Sequence, residues 1–396
     1  MKKIMLVAGG NWQCSIARKI KEMGYYLICS NLYPDSPAFR WADVSAVANV
    51  LDYEKNLEIA NQYHPDAIIT DQSDIAVRTV AKLNETLGLH GIGCEIASRF
   101  SSKYLMREFC KKNNLPCPAY RLCGTIDEAI DFLHTYGKSV IKPLDSQSSR
   151  GVYTITSEKD IRDLFEITRN CSICEKKVLI EEFIGGTEFT VDAIKTEAGA
   201  ETLAISEKKH YKDYPNVASQ LLFTEFNPNF DYDALRNVNN SLIEAMGLPF
   251  GLTHAEYKFD KGKYFLIEIA ARGGGTNISS TIAPYMSGID SNALLIRMAF
   301  GESVGKIRRM PSNGKCSCLE FFSFKEGTAK QIIGESFLQA NPNVLEYLFN
   351  FKPGEKVPAP SDDSKRPGHF IAAASGIDVL NEVRKQIQNN VYVQYS

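Results

Sequence analysis

Apolar positions in the first ninety residues recur in two alternating rhythms. Ile4-Met5-Leu6-Val7-Ala8 is an unbroken run, as in a strand buried on both faces. Gly9-Gly10-Asn11 then turns the chain, and Ile16, Ala17, Ile20 and Met23 return at helical spacing until Gly24 closes the helix. Tyr26–Cys29 reads as a second strand, 54–63 as a helix, Ala67–Thr70 as a third strand and 75–87 as another helix. This βαβ rhythm predicts a parallel sheet with helices on both faces.

Further along, an amphipathic helix is expected over 101–115, ended by Pro116 and Pro118. Period-two and continuous apolar runs follow at Ser139–Lys142, Val152–Ile155, Val178–Phe183, Thr187–Ile194, Glu201–Ser206, His254–Phe259 and Tyr264–Ala270. Helices are expected near 158–168, 231–246 and 289–300. From about 306 the tail reads α+β, with strands at Ser317–Ser323 and Phe370–Ala373 and a terminal helix near 377–388. No internal repeat is present, and the polar stretch Pro353–Pro367 is the nearest thing to a linker.

Composition narrows the class. The chain has 396 residues, 45 Lys+Arg against 47 Asp+Glu, a formal net charge of −2 and 44% hydrophobic residues. Two to four domains of roughly 100–200 residues are expected, with a core large enough to need no disulfide or metal. The balanced charge speaks against a dedicated nucleic-acid binder but leaves room for a local basic pocket. No run of 18 apolar residues exists, so no membrane-spanning helix is expected. The apolar run after Met1-Lys2-Lys3 is too short for a secretory signal. A cytoplasmic protein is expected, with its 10 cysteines as reduced, half-buried thiols. Cys171-Ser172-Ile173-Cys174 lacks the second pair that a zinc ribbon needs. Gly9-Gly10 lacks the later glycines of a dinucleotide fingerprint, although the helix start at Asn11 could attract an anion.

Three constellations carry candidate chemistry. In Val140-Ile141-Lys142-Pro143-Leu144-Asp145-Ser146-Gln147-Ser148-Ser149-Arg150-Gly151-Val152, a strand delivers a lysine to a loop of small polar residues. Such a loop lets N–H and hydroxyl donors approach phosphate oxygens; a plain polar hairpin is the other reading. In Ile180-Glu181-Glu182-Phe183-Ile184-Gly185-Gly186-Thr187-Glu188, strands flank a Gly-Gly turn, and the backbone and carboxylates could hold an adenine edge and ribose hydroxyls or simply be solvated. The third joins Thr253-His254-Ala255-Glu256 to Ile267-Glu268-Ile269-Ala270-Ala271-Arg272-Gly273-Gly274-Gly275-Thr276-Asn277. Two carboxylates at paired strands persist ionised only beside a cation, and magnesium prefers such oxygens. Arg272 and the three glycines would let a phosphoryl group approach while stabilising developing negative charge.

In this order and spacing the three constellations resemble the ATP-grasp superfamily over essentially the whole chain. The opening Val7–Asn11 and Asp35-Ser36-Pro37-Ala38 look like the pre-ATP-grasp domain of purine-pathway members, whereas Ile267–Asn277 and Thr253–Glu256 look most like the carboxylate–amine, L-amino-acid ligase branch. The resemblance implies an α/β and α+β fold: a parallel-sheet pre-ATP-grasp domain over 1–95, an ATP-grasp core over 96–305 with a lid subdomain over about 119–184, and a C-terminal segment over 306–396 completing the core. It implies phosphate-binding lysines at Lys103 and Lys142, a phosphate-covering loop with Ser146, Ser148, Ser149 and Gly151, and an adenine hinge over Glu181, Glu182, Phe183 and Ile184. Glu188 would bind ribose, Glu256 and Glu268 magnesium (or manganese), and Arg272 would stabilise an acyl-phosphate step. Ala270 stands where many members have an asparagine, and the loop has no glycine before Gly151.

The expected activity is a magnesium-dependent ATP ligase joining a small-molecule carboxylate to an amine. The alternatives are a purine-pathway-like carboxylase or formyltransferase using bicarbonate or formate, and a non-catalytic ATP-binding module. Neither nucleic acid nor membrane is an expected partner. Superfamily members are often homodimers, and no segment here specifies an interface. Substrate contacts would come from His254, Gly273, Gly274, Gly275, Asn277 and His210, the last in an otherwise exposed basic loop. Trp12 is expected to pack, and Arg366 and His369 to lie at the surface.

Overall fold

A computed structural model describes residues 1–146, 150–172 and 175–396. Its first sheet is parallel, in the order Val44–Val47, Tyr26–Asn31, Lys3–Val7, Ala67–Ile69. Alternation within one apolar run serves two cores. Ile4 and Leu6 pack on Ile16, Ala17 and Ile20 of the helix Cys14–Glu22. Met5 and Val7 face the helices Tyr53–Tyr63 and Asp74–Leu87 on the other side. Both faces are covered, as the βαβ rhythm predicts.

The helix expected over 101–115 is present and is preceded by a further one, the two being Cys94–Arg99 and Lys103–Lys112. Ser102 caps the second by accepting the Leu105 N–H, and the helix ends before Pro116. Next comes a four-stranded antiparallel sheet in the order Tyr120–Cys123, Val178–Glu182, Ser139–Pro143, Tyr153–Ile155. The helices Ile126–Tyr136 and Glu158–Asn170 pack on one side of it. The first of these is absent from the sequence reading, although Thr125 and Glu128 form a capping box at its start.

The largest sheet has eight antiparallel strands: Lys263–Ala270, Gly251–Asp260, Thr187–Thr196, Gly199–His210, Ala218–Phe223, Cys316–Phe321, Gly368–Ala374 and Val344–Phe349. Three strands beyond residue 306 thus extend the sheet that carries the third constellation. Pro353–Pro367 is no linker: it contains the strand Lys356–Val357 and a helical turn Asp363–Lys365, and Arg366 lies over the Phe321 ring. Cys316 and Cys318 are fully buried rather than half-buried, because the helix Ile377–Asn390 covers the face they share. Among the described residues, no helix is long and apolar enough to cross a membrane.

Arg366 and His369 also depart from expectation. His369 is 1% exposed, edged by the Trp12 and Phe321 rings, and its Nε2 has no hydrogen-bond partner. Burial first, and the charge of Arg366 second, hold its pKa down at about 3. The unfolded ring protonates below about pH 6.5, so between those values only the unfolded chain binds this proton. Stability therefore rises with pH across that window. Urea unfolding at about pH 4 and about pH 7 should show the wild type losing about 1–3 kcal/mol more than His369→Phe on acidification. Identical pH dependence in both would contradict a neutral buried imidazole.

Candidate active site

One face of the large sheet carries a polar grid. Across four neighbouring strands lie the rows Glu268–Glu256–Thr190–Ser206, Ala270–His254–Asp192–Ala204 and Lys258–Glu188–Lys208. The intervening Phe189, Val191, Ala255, Tyr257 and Ile269 turn to the opposite face and enter the core. Strand period thus sorts chemistry from packing.

Cations from three different elements meet these carboxylates and the neighbouring Glu181. Lys208 Nζ lies 2.5 Å from Glu188 and 2.9 Å from Glu256. Lys103, opening its helix, places Nζ 2.8 Å from Glu268 and 2.9 Å from the Ser146 carbonyl oxygen. Lys142 reaches Glu181 at 2.5 Å, and Arg107 Nε meets the same carboxylate at 2.7 Å. Burial would raise the Glu181 pKa, but Arg107 and Lys142 outweigh it and hold the carboxyl below its ordinary range. Burial likewise opposes the charge on Glu256, yet Lys208 and His254 bring its pKa down to about 2.

Two cavities flank the grid. One of about 850 Å³ is lined by Lys103, Lys142, Ser146, Glu181, Glu182, Phe183, Ile184, Glu188 and His210. Another of about 550 Å³ is lined by Trp12, Asp74, His254, Gly275, Arg272, Phe321 and Arg366. The cavities share Lys208, Glu256 and Glu268.

The glycine loop is gripped by the N-terminal domain. Arg272 donates from Nε and Nη2 to the two Asp74 oxygens at 2.8 and 2.9 Å, and from Nη1 to the Gly273 carbonyl at 2.9 Å. Against burial, Asp74 raises the Arg272 pKa, and Arg272 lowers that of Asp74. Asp71 accepts the Gly273 N–H and the Ser279 hydroxyl, each at 2.9 Å, and Gln72 accepts the Asn277 N–H at 3.0 Å. Asp192 accepts the Gly274 N–H at 2.9 Å and sits 3.1 Å from His254 Nδ1.

These contacts revise the part expected of several residues. His254 and Gly275 line the second cavity, whereas Gly273, Gly274 and Asn277 are engaged by internal partners and do not. His210 is not an exposed loop residue: it ends the strand Gly199–His210 in the first cavity, 3.6 Å from Glu188. Trp12 both edges His369, as packing requires, and lines the second cavity. Gly151 has φ +77° and sits where a Cβ would meet Cys171 at 2.8 Å, so packing accounts for it. Ser148 and Ser149 lie outside the described residues. Asp71, Gln72, Asp74 and Arg107 are absent from the sequence reading, and Asp192 and Lys208 carry no role in it. Only Lys208 had a local signal, the basic run Lys208-Lys209-His210.

A divalent metal fits the donor set under one condition. Glu256 and Glu268 face each other in register and offer hard carboxylate oxygens. Among the described residues no cluster of three or more metal-ligating side chains exists. Magnesium commonly takes one or two carboxylates and completes its shell with water and phosphate, so the pair suits a metal that arrives with a polyphosphate.

Residues 137–280 match the model of the ATP-grasp domain. Over 359 residues the chain is 25% identical to a formate-dependent phosphoribosylglycinamide formyltransferase of Shewanella amazonensis, covering 88% of this chain and 87% of that one. Its fold matches the crystal structure of an L-amino acid ligase from Bacillus licheniformis with a TM-score of 0.83 at 18% identity, covering 100% and 99% of the two chains. It also matches N5-carboxyaminoimidazole ribonucleotide synthetase from Thermotoga maritima with a TM-score of 0.75 at 21% identity and full coverage of both.

The glycines of the loop are separable by experiment. A methyl group at Gly274 would meet Asp192 Oδ1 at 2.5 Å and His254 Nδ1 at 2.9 Å, whereas nothing lies within 4 Å at Gly275. Gly274→Ala should cost about 1–3 kcal/mol in urea unfolding, and Gly275→Ala should stay within about 0.5 kcal/mol. Equal costs would show that close approach is not what selects glycine here.

Proposed function

We propose that the protein is an ATP-dependent ligase that activates a carboxylate as an acyl phosphate and transfers it to an amine, releasing ADP and phosphate. One observation carries the reading. The two cavities share Lys208, Glu256 and Glu268, so a γ-phosphate held in one meets a carboxylate held in the other. In this reading residues 1–95, 96–305 and 306–396 act as sheet domain, ATP-grasp core and closing segment, with about 119–184 as the lid.

The first cavity takes the nucleotide. Glu182, Phe183 and Ile184 wall the adenine end, where Lys138 and Lys258 already stand 3.6 and 5.1 Å from the Phe183 ring centre. Glu188 serves the ribose hydroxyls. Glu181 is committed to Lys142 and Arg107, so its part is to aim Lys142 at the phosphates rather than to meet the base. Lys103 and Lys142 neutralise phosphate charge, with Ser146, Ser148, Ser149 and Gly151 in the covering loop. Magnesium, or manganese, held by Glu256 and Glu268 would withdraw charge from the phosphate oxygens.

Chemistry proceeds at the shared wall. The substrate carboxylate attacks the γ-phosphorus, the bond to the β-phosphate oxygen breaks, and ADP leaves. The amine then attacks the acyl carbon and phosphate departs. Arg272, aimed by Asp74, stabilises the negative charge that develops on the acyl oxygen. Positioning and electrostatics suffice, so no side-chain nucleophile is needed. The lid excludes the water that would hydrolyse the intermediate.

The far end of the second cavity supports an unphosphorylated substrate with an apolar part. Trp12, Ala218, Leu221, Ile278, Leu319 and Phe321 line it. Its cation, Arg366, lies 3.6 Å over the Phe321 ring and 3.3 Å from Asp363, which answers its charge. The second reading, formyl or carboxyl transfer to a ribonucleotide amine, is favoured by the similarity to the formyltransferases. ADP release should be followed over a panel of amino acids, and over formate or bicarbonate with a ribonucleotide amine; hydroxylamine should trap the acyl phosphate as a hydroxamate. ADP release dependent on an amino acid is expected, reduced about 100-fold or more in Arg272→Ala. Turnover only with formate or bicarbonate would install the second reading. Undiminished turnover in Arg272→Ala would refute the assigned chemistry.

A further inference from the structure

Lys208 lines both cavities, yet the steps above give it no part. Its side chain is 12% exposed, and its ammonium bridges Glu188 and Glu256. Lys103 occupies Glu268 in the same way. Each carboxylate of the proposed metal pair therefore already holds a cation, and a metal that takes the Glu256 Oε1 displaces Lys208 from it. Glu188 would keep a cation nearby after such a displacement, because Lys258 stands 3.8 Å away.

What matters is where the displaced ammonium goes. A divalent ion arriving alone pushes Lys208 off Glu256 and leaves two cations crowded together in a buried site, which is unfavourable. A divalent ion arriving with a polyphosphate brings the anionic oxygens that the lysine then needs. We propose that Lys208 is a placeholder cation, holding Glu256 until a divalent metal and a nucleoside triphosphate bind together, and then turning to the phosphate oxygens. Metal and nucleotide binding are thereby coupled, and each strengthens the other by the same factor. The inference rests on the reading of Glu256 and Glu268 as the metal pair, and makes Lys208 a positioning residue for that pair.

The test is calorimetric titration of the full chain with Mn²⁺ alone, with a non-hydrolysable ATP analogue alone, and with both. Wild type should bind Mn²⁺ weakly without nucleotide. Lys208→Met should tighten Mn²⁺ binding without nucleotide by roughly tenfold, equivalent to one charge-assisted contact removed from the competitor. The same variant should weaken the analogue in the absence of metal. Lys208→Gln is the second variant, read also as a larger rise in melting temperature with Mn²⁺ than wild type shows. Lys258→Met removes a charge near Glu188 without freeing Glu256, and should leave Mn²⁺ affinity near wild type. The proposal is overturned if both Lys208 variants bind Mn²⁺ no better than wild type, or if Lys258→Met matches their gain. Nucleotide binding with unchanged Mn²⁺ affinity sinks the part given to Lys208 alone. Failure of wild type to bind Mn²⁺ and the analogue in any combination sinks the ligase reading with it.

Discussion

Glu188, Glu256 and Glu268 stand on one sheet face, and like charges so placed require cations at contact distance. Much of the architecture follows from that requirement. Lys103 comes from the start of a helix and Lys208 from the neighbouring strand of the large sheet, while Lys142, on the smaller antiparallel sheet, answers Glu181 beside that face. Pairing Lys103 with Glu268 ties a helix to the large sheet. Lys142 and Arg107, converging on Glu181, tie that same helix to the smaller sheet. Compensation of the acidic face thus also holds the walls of the larger cavity in place.

The N-terminal domain supplies the other half of the geometry. Its loop after the strand Ala67–Ile69 presents Asp71, Gln72 and Asp74 to the glycine run, and Asp74 orients a guanidinium 198 residues further along the chain. Gly273 and Gly274 are glycines because a Cβ at the first would meet Ser279 and, at 2.8 Å, Asp71, and a Cβ at the second would meet Asp192 at 2.5 Å. A loop that reads in sequence as space for a phosphoryl group is, at two of its three glycines, filled by side chains of the protein itself.

The motifs that were legible in sequence are contiguous. Each runs strand, loop, strand, so its own period shows which residues share a face; Glu256 and His254 alternate, and the structure keeps them on one side. The residues without a role in that reading answer partners far along the chain. Lys208 matters because it lies opposite Glu188 in register, and Arg107 because it meets Glu181, 74 residues away. Arg366 and His369 read as surface polar residues because their covers, Trp12 and Phe321, are distant in sequence. Pro353–Pro367 looked like a linker because prolines and polar residues also suit a packed irregular segment.

By itself the sequence determined the parallel first sheet, the face of each strand, and the acid, lysine and glycine motifs that mark an ATP-grasp domain. Those are written in local period and spacing, which backbone geometry converts directly into faces and turns. Only the tertiary structure decided which lysine meets which carboxylate, which glycines are forced, and that the two cavities meet at Lys208, Glu256 and Glu268. Those pairings depend on strand register and on how one domain's loop docks against another's, and neither is encoded by the period of any single segment.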